Sequence, residues 1–260
     1  MAELTRAKVF QPCYGRRMIE TRALACLERC RRKLGFEEIP LPVPVEDWIE
    51  GPLGIRFGVT DLSHLGPDVL GATFVKEREI LIDERVTEHE GRCRFTCAHE
   101  LGHLTLHAKA RDVFHETEAE GPGSPGKLER EADRFAAAFL VPLPLLEREL
   151  GRLYDQHGMD RARCTLQLMQ ATPESEWLWR KRLLPLITRR FEVSLSTAVY
   201  RCCEIEPRIS NAGPLLPQTM VDRLLSPTRK DADLDSIEIV AGVPKRRDLF
   251  SVAEERIASG

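Results

Sequence analysis

No apolar stretch of signal-peptide length opens this sequence; Met1-Ala2-Glu3-Leu4-Thr5-Arg6-Ala7-Lys8 is broken by charge almost at once, which argues against a secretory leader. No uninterrupted apolar run approaches the ~20 residues of a bilayer-spanning helix, so the expected location is cytoplasmic. Cys-x-x-Cys, the usual spacing of zinc ribbons and redox motifs, never occurs among the eight cysteines. Cys26/Cys30 and Cys93/Cys97 are instead four apart, which places each pair on one helix face. They read as ordinary thiols acting as small hydrophobes, with a redox or secondary metal role as the alternative. Charge of one sign is not in excess either. A formal net charge of −3 gives no global reason to expect nucleic acid or an anionic membrane as partner. Internal repeats and sustained heptads are also missing. What is present is 260 residues, 42% hydrophobic and 30% charged, enough for a packed core in one fair-sized domain or one domain with an appendage.

Residues 17–35 read as a helix, with Ile19, Ala23, Leu24, Leu27 and Leu34 at helical spacing and Gly35 as its stop. Ile39-Pro-Leu-Pro-Val-Pro is an extended connector, and Val45 to Ile49 a short helix. Gly54-Ile-Arg-Phe-Gly-Val reads as β. Ala72-Thr-Phe-Val and Ile80-Leu-Ile flank a charged turn at Lys76-Glu77-Arg78, which predicts a hairpin. Residues 93–108 form a helix, 111–127 read as a mobile Glu- and Gly/Pro-rich loop, and Leu128 to Phe139 form a second strong helix closed by Pro142 and Pro144. Thr172-Pro173-Glu174 starts another helix that runs towards Arg190 with a kink expected at Pro185. Ser194 caps one more, and beyond Pro207 only Ile237-Glu-Ile-Val looks like a strand.

Chemistry concentrates in His99-Glu100-Leu101-Gly102-His103. On a helix, two histidines four residues apart project about 40° from each other and can bind one ion. Glu100 lies near that ion but off the ligand axis, placed to take a proton from water. Cys97, Leu101, Leu104 and Ala108 form a core stripe on another face of the same helix. Gly102 costs about 1 kcal/mol of helix propensity, and close approach of a neighbour or ligand is one reason to keep it. His107 continues the series, but on a straight helix it drifts a further 40° or so and rises about 6 Å beyond His103; it reads as a helix-end residue favouring the local dipole.

For a third ligand the second helix offers Glu129 and Glu131. Glu129 shares a stripe with Ala132, Asp133, Ala136 and Leu140, where an acid needs a partner because an unpaired buried charge is costly; it is favoured. Glu131 is the alternative, otherwise a solvated partner for a nearby arginine. Asp133, one turn on, can accept a hydrogen bond from the far nitrogen of a ligand histidine. A donor set of two histidines and a glutamate most often means zinc, one per chain, with manganese or another divalent ion open.

With those residues in hand, Arg94-Phe-Thr-Cys-Ala-His-Glu-Leu-Gly-His-Leu-Thr-Leu-His and Glu129-Arg-Glu-Ala-Asp-Arg-Phe-Ala-Ala-Ala-Phe-Leu-Val-Pro142 resemble the ImmA/IrrE family of metallopeptidases. The resemblance extends more weakly over residues 71–83 and Arg189 to Arg201. It implies metal ligands at His99, His103 and Glu129 and a catalytic glutamate at Glu100. Asp133 stands where the family commonly has Asn. It further implies regulatory proteolysis of a helix-turn-helix repressor; no fused repressor domain is recognisable near the start of the sequence, so the expected substrate is a separate protein.

The expected fold is α+β: a zincin-like core over residues 1–206, with a small, mostly antiparallel sheet packed on the motif helix and a helical lobe after it, then an appendage at 207–260. A substrate strand is expected along Ile80-Leu81-Ile82, read as an exposed sheet edge. Tyr200 or Arg201 is the candidate oxyanion donor, and the 111–127 loop is either a gate or a tolerated insertion. Lys245-Arg246-Arg247 reads as a solvated turn, or else a docking patch. The rival reading takes Ile187 to Cys203 as a DNA-binding helix-turn-helix in a non-catalytic regulator; acidic and basic residues nearly balance there, which weakens it.

Overall fold

The computed structural model describes residues 14–117, 126–207, 213–226, 237–240 and 243–246. The fold is α+β, in two compact units. One runs to Pro142 and includes Phe191–Val193; the other holds Leu143–Arg190 and the chain from Ser194 onward. The division falls at Pro142/Leu143.

In the first unit, α1 (Arg16–Leu34) buries Ile19, Ala23, Leu27 and Cys30, a stripe at i, i+4, i+8 and i+11. Leu34 continues that stripe but, as the last residue of the helix, is exposed. Gly35, at φ 72°, closes the helix in the left-handed region that costs a glycine nothing. The short α2 (Val45–Glu50) leads into β1 (Arg56–Thr60), then β2 (Val69–Phe74) and β3 (Glu79–Asp83).

The predicted hairpin is present: β2 and β3 pair antiparallel, Phe74 opposite Glu79, around the charged turn. The sheet order is β1-β3-β2-β4, with β1 parallel to β3 and β4 (Val113–Thr117) antiparallel to β2. This corrects two expectations. Ile80-Leu81-Ile82 is not an edge, because β3 has partners on both sides and Ile80 and Ile82 are core residues. Among the described residues the edges are β1 and β4. And β4 arises from the start of what reads as a mobile loop; residues 118–125 of that loop lie outside the described residues. Its alternation is hidden in the composition because Glu116 takes an inward position beside buried Phe114, while Val113 and His115 face out.

The motif helix, α3 (Glu90–Gly102), continues as a π turn over His103–His107. It packs on the sheet face through β2 and, on its other side, against α4 (Lys127–Leu140). A β-carbon at Gly102 would lie 3.2 Å from the Ala132 Cα and the Phe135 side chain. The close approach anticipated for this glycine is therefore to a neighbouring helix. Buried Arg94 donates to the Val43 carbonyl at 2.7 Å and sits near the carboxylates of Glu46 and Glu192, tying α3 to the Pro-rich connector.

The second unit contains α5 (Leu143–Gln156), α6 (Arg161–Leu168), α7 (Pro173–Leu178), α8 (Leu184–Phe191, its last residue counted with the first unit), α9 (Leu195–Cys202) and α10 (Gln218–Leu225). Thr172 and Ser194 cap α7 and α9 as expected, accepting from Ser175 and Thr197 N–H groups. The kink foreseen at Pro185 takes the form of a π turn over Trp179–Leu183, directly before it; Pro185 has no N–H to continue an α-helical ladder. Ile237–Val240 is a strand, β5, paired with β6 (Val243–Arg246). Lys245 is exposed, and Arg247 lies outside the described residues. Among the described residues no helix is long and apolar enough to cross a membrane.

Asp83 pins the loop between β1 and β2. Its carboxylate accepts from the Leu62 N–H at 2.8 Å and from the Arg85 N–H and guanidinium, while Arg85 also donates to the Pro67 and Val69 carbonyls. Hydrogen bonding from Arg85 outweighs burial and holds the Asp83 carboxyl below its ordinary value. Asp83→Asn is expected to cost about 1–3 kcal/mol at neutral pH. A depressed native pKa stabilises above the ordinary aspartate value of about 3.9 and is lost as pH falls through the native one. The gap between wild type and variant should therefore close on acidification, as urea unfolding at a series of pH values would read out.

Candidate metal centre

Three donor atoms converge between α3 and α4. The Nε2 atoms of His99 and His103 are 3.0 Å apart, and each is 3.2 Å from the Glu129 Oε2. A tetrahedral ion with bonds of about 2.0–2.1 Å needs donors roughly 3.3 Å apart, so the spacing fits a zinc-sized cation. The donor chemistry fits as well, since two imidazole nitrogens and a carboxylate aimed at one point offer lone pairs with few protons to share. Glu129 comes from the first turn of α4, and the helix contact at Gly102 brings it within reach.

The surroundings fix this group. The His99 Nδ1 lies 2.9 Å from the Asp133 Oδ1, one helical turn beyond Glu129. Because a carboxylate only accepts, His99 Nδ1–H donates to it, and in the neutral imidazole Nε2 is then the lone pair. The Phe114 ring of β4 stacks on His103, centroids 4.3 Å apart and planes 18° from parallel. His99, Glu100 and His103 are all buried.

Glu100 is wholly enclosed. Its carboxylate accepts from the Thr73 hydroxyl of β2, and the same hydroxyl reaches the Glu100 backbone carbonyl at 3.0 Å. Its Oε1 is buried with no hydrogen-bond partner. Burial raises the Glu100 carboxyl to about 8, against the opposing pull of His99. Glu116 lies beside it, with a buried Oε2 that also lacks a partner and a carboxyl raised mainly by burial. Burial lowers His103 to about 4. On His99 burial acts in the same direction, but the Glu116 charge and hydrogen bonds to Asp133 and Glu129 overturn it and raise the imidazole. Burial would raise Glu129, yet hydrogen bonds from His103 and His99 hold it far below the usual carboxylate range. In the absence of a cation, this cluster has carboxylates and imidazoles competing for too few protons.

Of the residues singled out from sequence, His99, Glu100, His103, Glu129 and Asp133 come together. Ile80, Leu81 and Ile82 do not form an edge beside them. Tyr200 and Arg201 belong to the second unit; Tyr200 is 54% exposed, whereas Arg201 is 1% exposed and ion-paired with Glu204. Glu131, read as a solvated alternative, is buried; its carboxylate meets the His107 Nε2 at 3.1 Å. His107 ends the helix, as read from the sequence, but it is buried rather than solvated. Sequence reasoning missed Thr73, Glu116 and Gly71. The one available signal for Gly71 was a glycine inside an apolar, strand-like run.

A buried pair of histidines and a glutamate, with a second glutamate enclosed alongside, forms a candidate metal site. The family model described as the IrrE N-terminal-like domain matches residues 55–202, more than half of the chain, which belongs to this family of ImmA/IrrE metallopeptidases. No curated protein sequence matches. Among solved structures, a Mycobacterium tuberculosis transcriptional regulator aligns at 16% identity with a TM-score of 0.43, over 78% of this chain and 57% of that one.

Gly71 leaves room for Glu100: a β-carbon there would lie 2.7 Å from the Glu100 Oε1 and 2.9 Å from the Thr96 Cγ2. Gly71→Ala is expected to destabilise by about 1–3 kcal/mol through overpacking and to displace the Glu100 carboxylate. Denaturant unfolding measures the first effect; peptidase turnover falling by more than tenfold would report the second.

Proposed function

We propose that this metallopeptidase is a zinc-dependent endopeptidase acting on a separate protein, with a helix-turn-helix repressor as the substrate class implied by the family resemblance. The observation that carries the reading is the convergence of His99, His103 and Glu129 beside a wholly buried Glu100. Zinc held by these three residues would supply an acidified water and polarise the scissile carbonyl.

The chain's own groups do the rest. Glu100 accepts the proton of the attacking water and passes it to the leaving amide nitrogen. Thr73 holds that carboxylate in place, and Asp133 accepts from the His99 Nδ1–H, which in the neutral imidazole leaves Nε2 as the lone pair. The substrate backbone lies along β4 in place of Ile80-Leu81-Ile82. β4 is the edge that carries Phe114 and Glu116 to the site, and no described strand pairs with its outer side; an added strand gains main-chain hydrogen bonds there. The DNA-binding alternative loses ground because cations of α8 and α9 are turned to internal partners, Arg190 to Glu149 and Arg201 to Glu204.

Two measurements test this reading. Purified protein should contain about one zinc per chain by elemental analysis, and Glu129→Ala none. Glu100→Gln should keep the zinc and lose at least 100-fold in cleavage of a co-encoded repressor, in line with loss of a general base. A fully active Glu100→Gln enzyme would remove Glu100 from its role.

A further inference from the structure

His103 has a second set of partners that the donor triad does not use. Its Nδ1 lies 3.1 Å from the His107 Nδ1. The His107 Nε2 lies 3.1 Å from the Glu131 Oε2, and the other Glu131 oxygen accepts from the Tyr14 N–H at 3.1 Å. Both His107 and Glu131 are buried. On a straight α-helix His107 would be rotated about 40° past His103. The π turn over His103–His107, closed by i→i+5 bonds, advances each residue by a smaller angle and so returns His107 to the line of His103.

Proton counting along the His103–His107–Glu131 contacts gives one arrangement, with which the 3.2 Å contact of the His103 Nε2 to Glu129 competes for the His103 hydrogen. A carboxylate offers only acceptors, so the His107 Nε2 carries the hydrogen and donates it to Glu131. In a neutral imidazole the other nitrogen is then a lone pair, so His107 Nδ1 accepts. His103 Nδ1 must therefore carry the hydrogen of the contact between the two rings. That leaves the His103 Nε2, the atom facing His99 and Glu129, as a lone pair.

We propose that His107 and Glu131 are positioning residues that hold His103 in its Nδ1–H tautomer, with Nε2 directed at the metal position. The proposal rests on the metal-site reading above. It makes the two histidines of the motif asymmetric: Asp133 sets His99 directly, while Glu131 sets His103 through an intervening imidazole. With the chain broken, His103 is free to carry its hydrogen on Nε2 and donate it to Glu129, a form that offers the metal no lone pair.

The test compares wild type with His107→Leu, His107→Gln and the double variant His107→Leu/Glu131→Leu. Glutamine can replace the relay, its oxygen accepting from His103 and its amide donating to Glu131. The double variant leaves no orphaned carboxylate, which covers the case in which His107→Leu alone does not fold. Zinc affinity, measured by chelator competition, is expected to fall 10–100-fold in the leucine variants and to recover in His107→Gln. Nitrogen-15 NMR of the metal-free proteins should show His103 as the Nδ1–H form in wild type and His107→Gln, and the Nε2–H form gaining in the leucine variants. Wild-type zinc affinity and an unchanged His103 tautomer in a folded leucine variant would overturn the proposal. If wild type takes up no zinc, the metal-site reading fails, and the tautomer measurement still decides the relay by itself.

Discussion

The closeness of α3 to α4 is the constraint on which the site depends. At Gly102 the two helices approach until a single added methyl would press on the Ala132 backbone and the Phe135 ring at 3.2 Å. That contact lies between His99 and His103 in sequence and opposite the turn that follows Glu129. A larger residue at Gly102 would separate the axes and carry the Glu129 carboxylate out of the 3.2 Å spacing it keeps from both imidazoles. Helix propensity argues against a glycine here by about 1 kcal/mol; the geometry of the donor set repays that cost.

The sheet plays the complementary part from the other face of α3. β2 is central, and it brings two small features to bear on Glu100. Gly71 gives it volume, and Thr73 gives it a hydroxyl. β4 adds Phe114 under His103 and Glu116 near His99. Each of these comes from a strand position whose side chain faces the helix, so the antiparallel register of β2 with β4 sets the walls of the site as firmly as the helix packing sets its donors.

Sequence periodicity gave the motif helix, its partner helix, the β2–β3 hairpin and the helix caps at Thr172 and Ser194, because each depends on local rules of spacing or capping. It also brought His99, Glu100, His103, Glu129 and Asp133 into one group, since helical spacing fixes which of them share a face. Sheet order was not legible. β3 looks like an edge strand when its parallel pairing with β1 is unknown, and that pairing joins residues about twenty apart through no local signal. β4 was hidden for a related reason: an inward glutamate breaks the apolar alternation by which a strand is recognised. Only contact with the buried site explains why an acid occupies that position. The contacts of His107 with His103 and Glu131 were not foreseen because a straight helix was assumed, whereas they depend on a π turn that the residue pattern does not announce.

The distribution of apolar residues separates folding from metal binding in this chain. Small structural zinc domains collapse without the ion because ligation supplies most of their folding free energy. Here the unit that carries the site has its own core, with Trp48, Ile49, Ile80, Ile82, Phe135 and Phe139 all enclosed, and the donors lie at its margin. Such a unit has the means to remain folded with the site empty. Burial then raises the Glu100 and Glu116 carboxyls, each of which has an oxygen without a partner. A cation relieves that state without having to build the fold. The cost of burying acidic groups is thus stored in the protein before the ion arrives, which favours a cation over any neutral occupant of the same space.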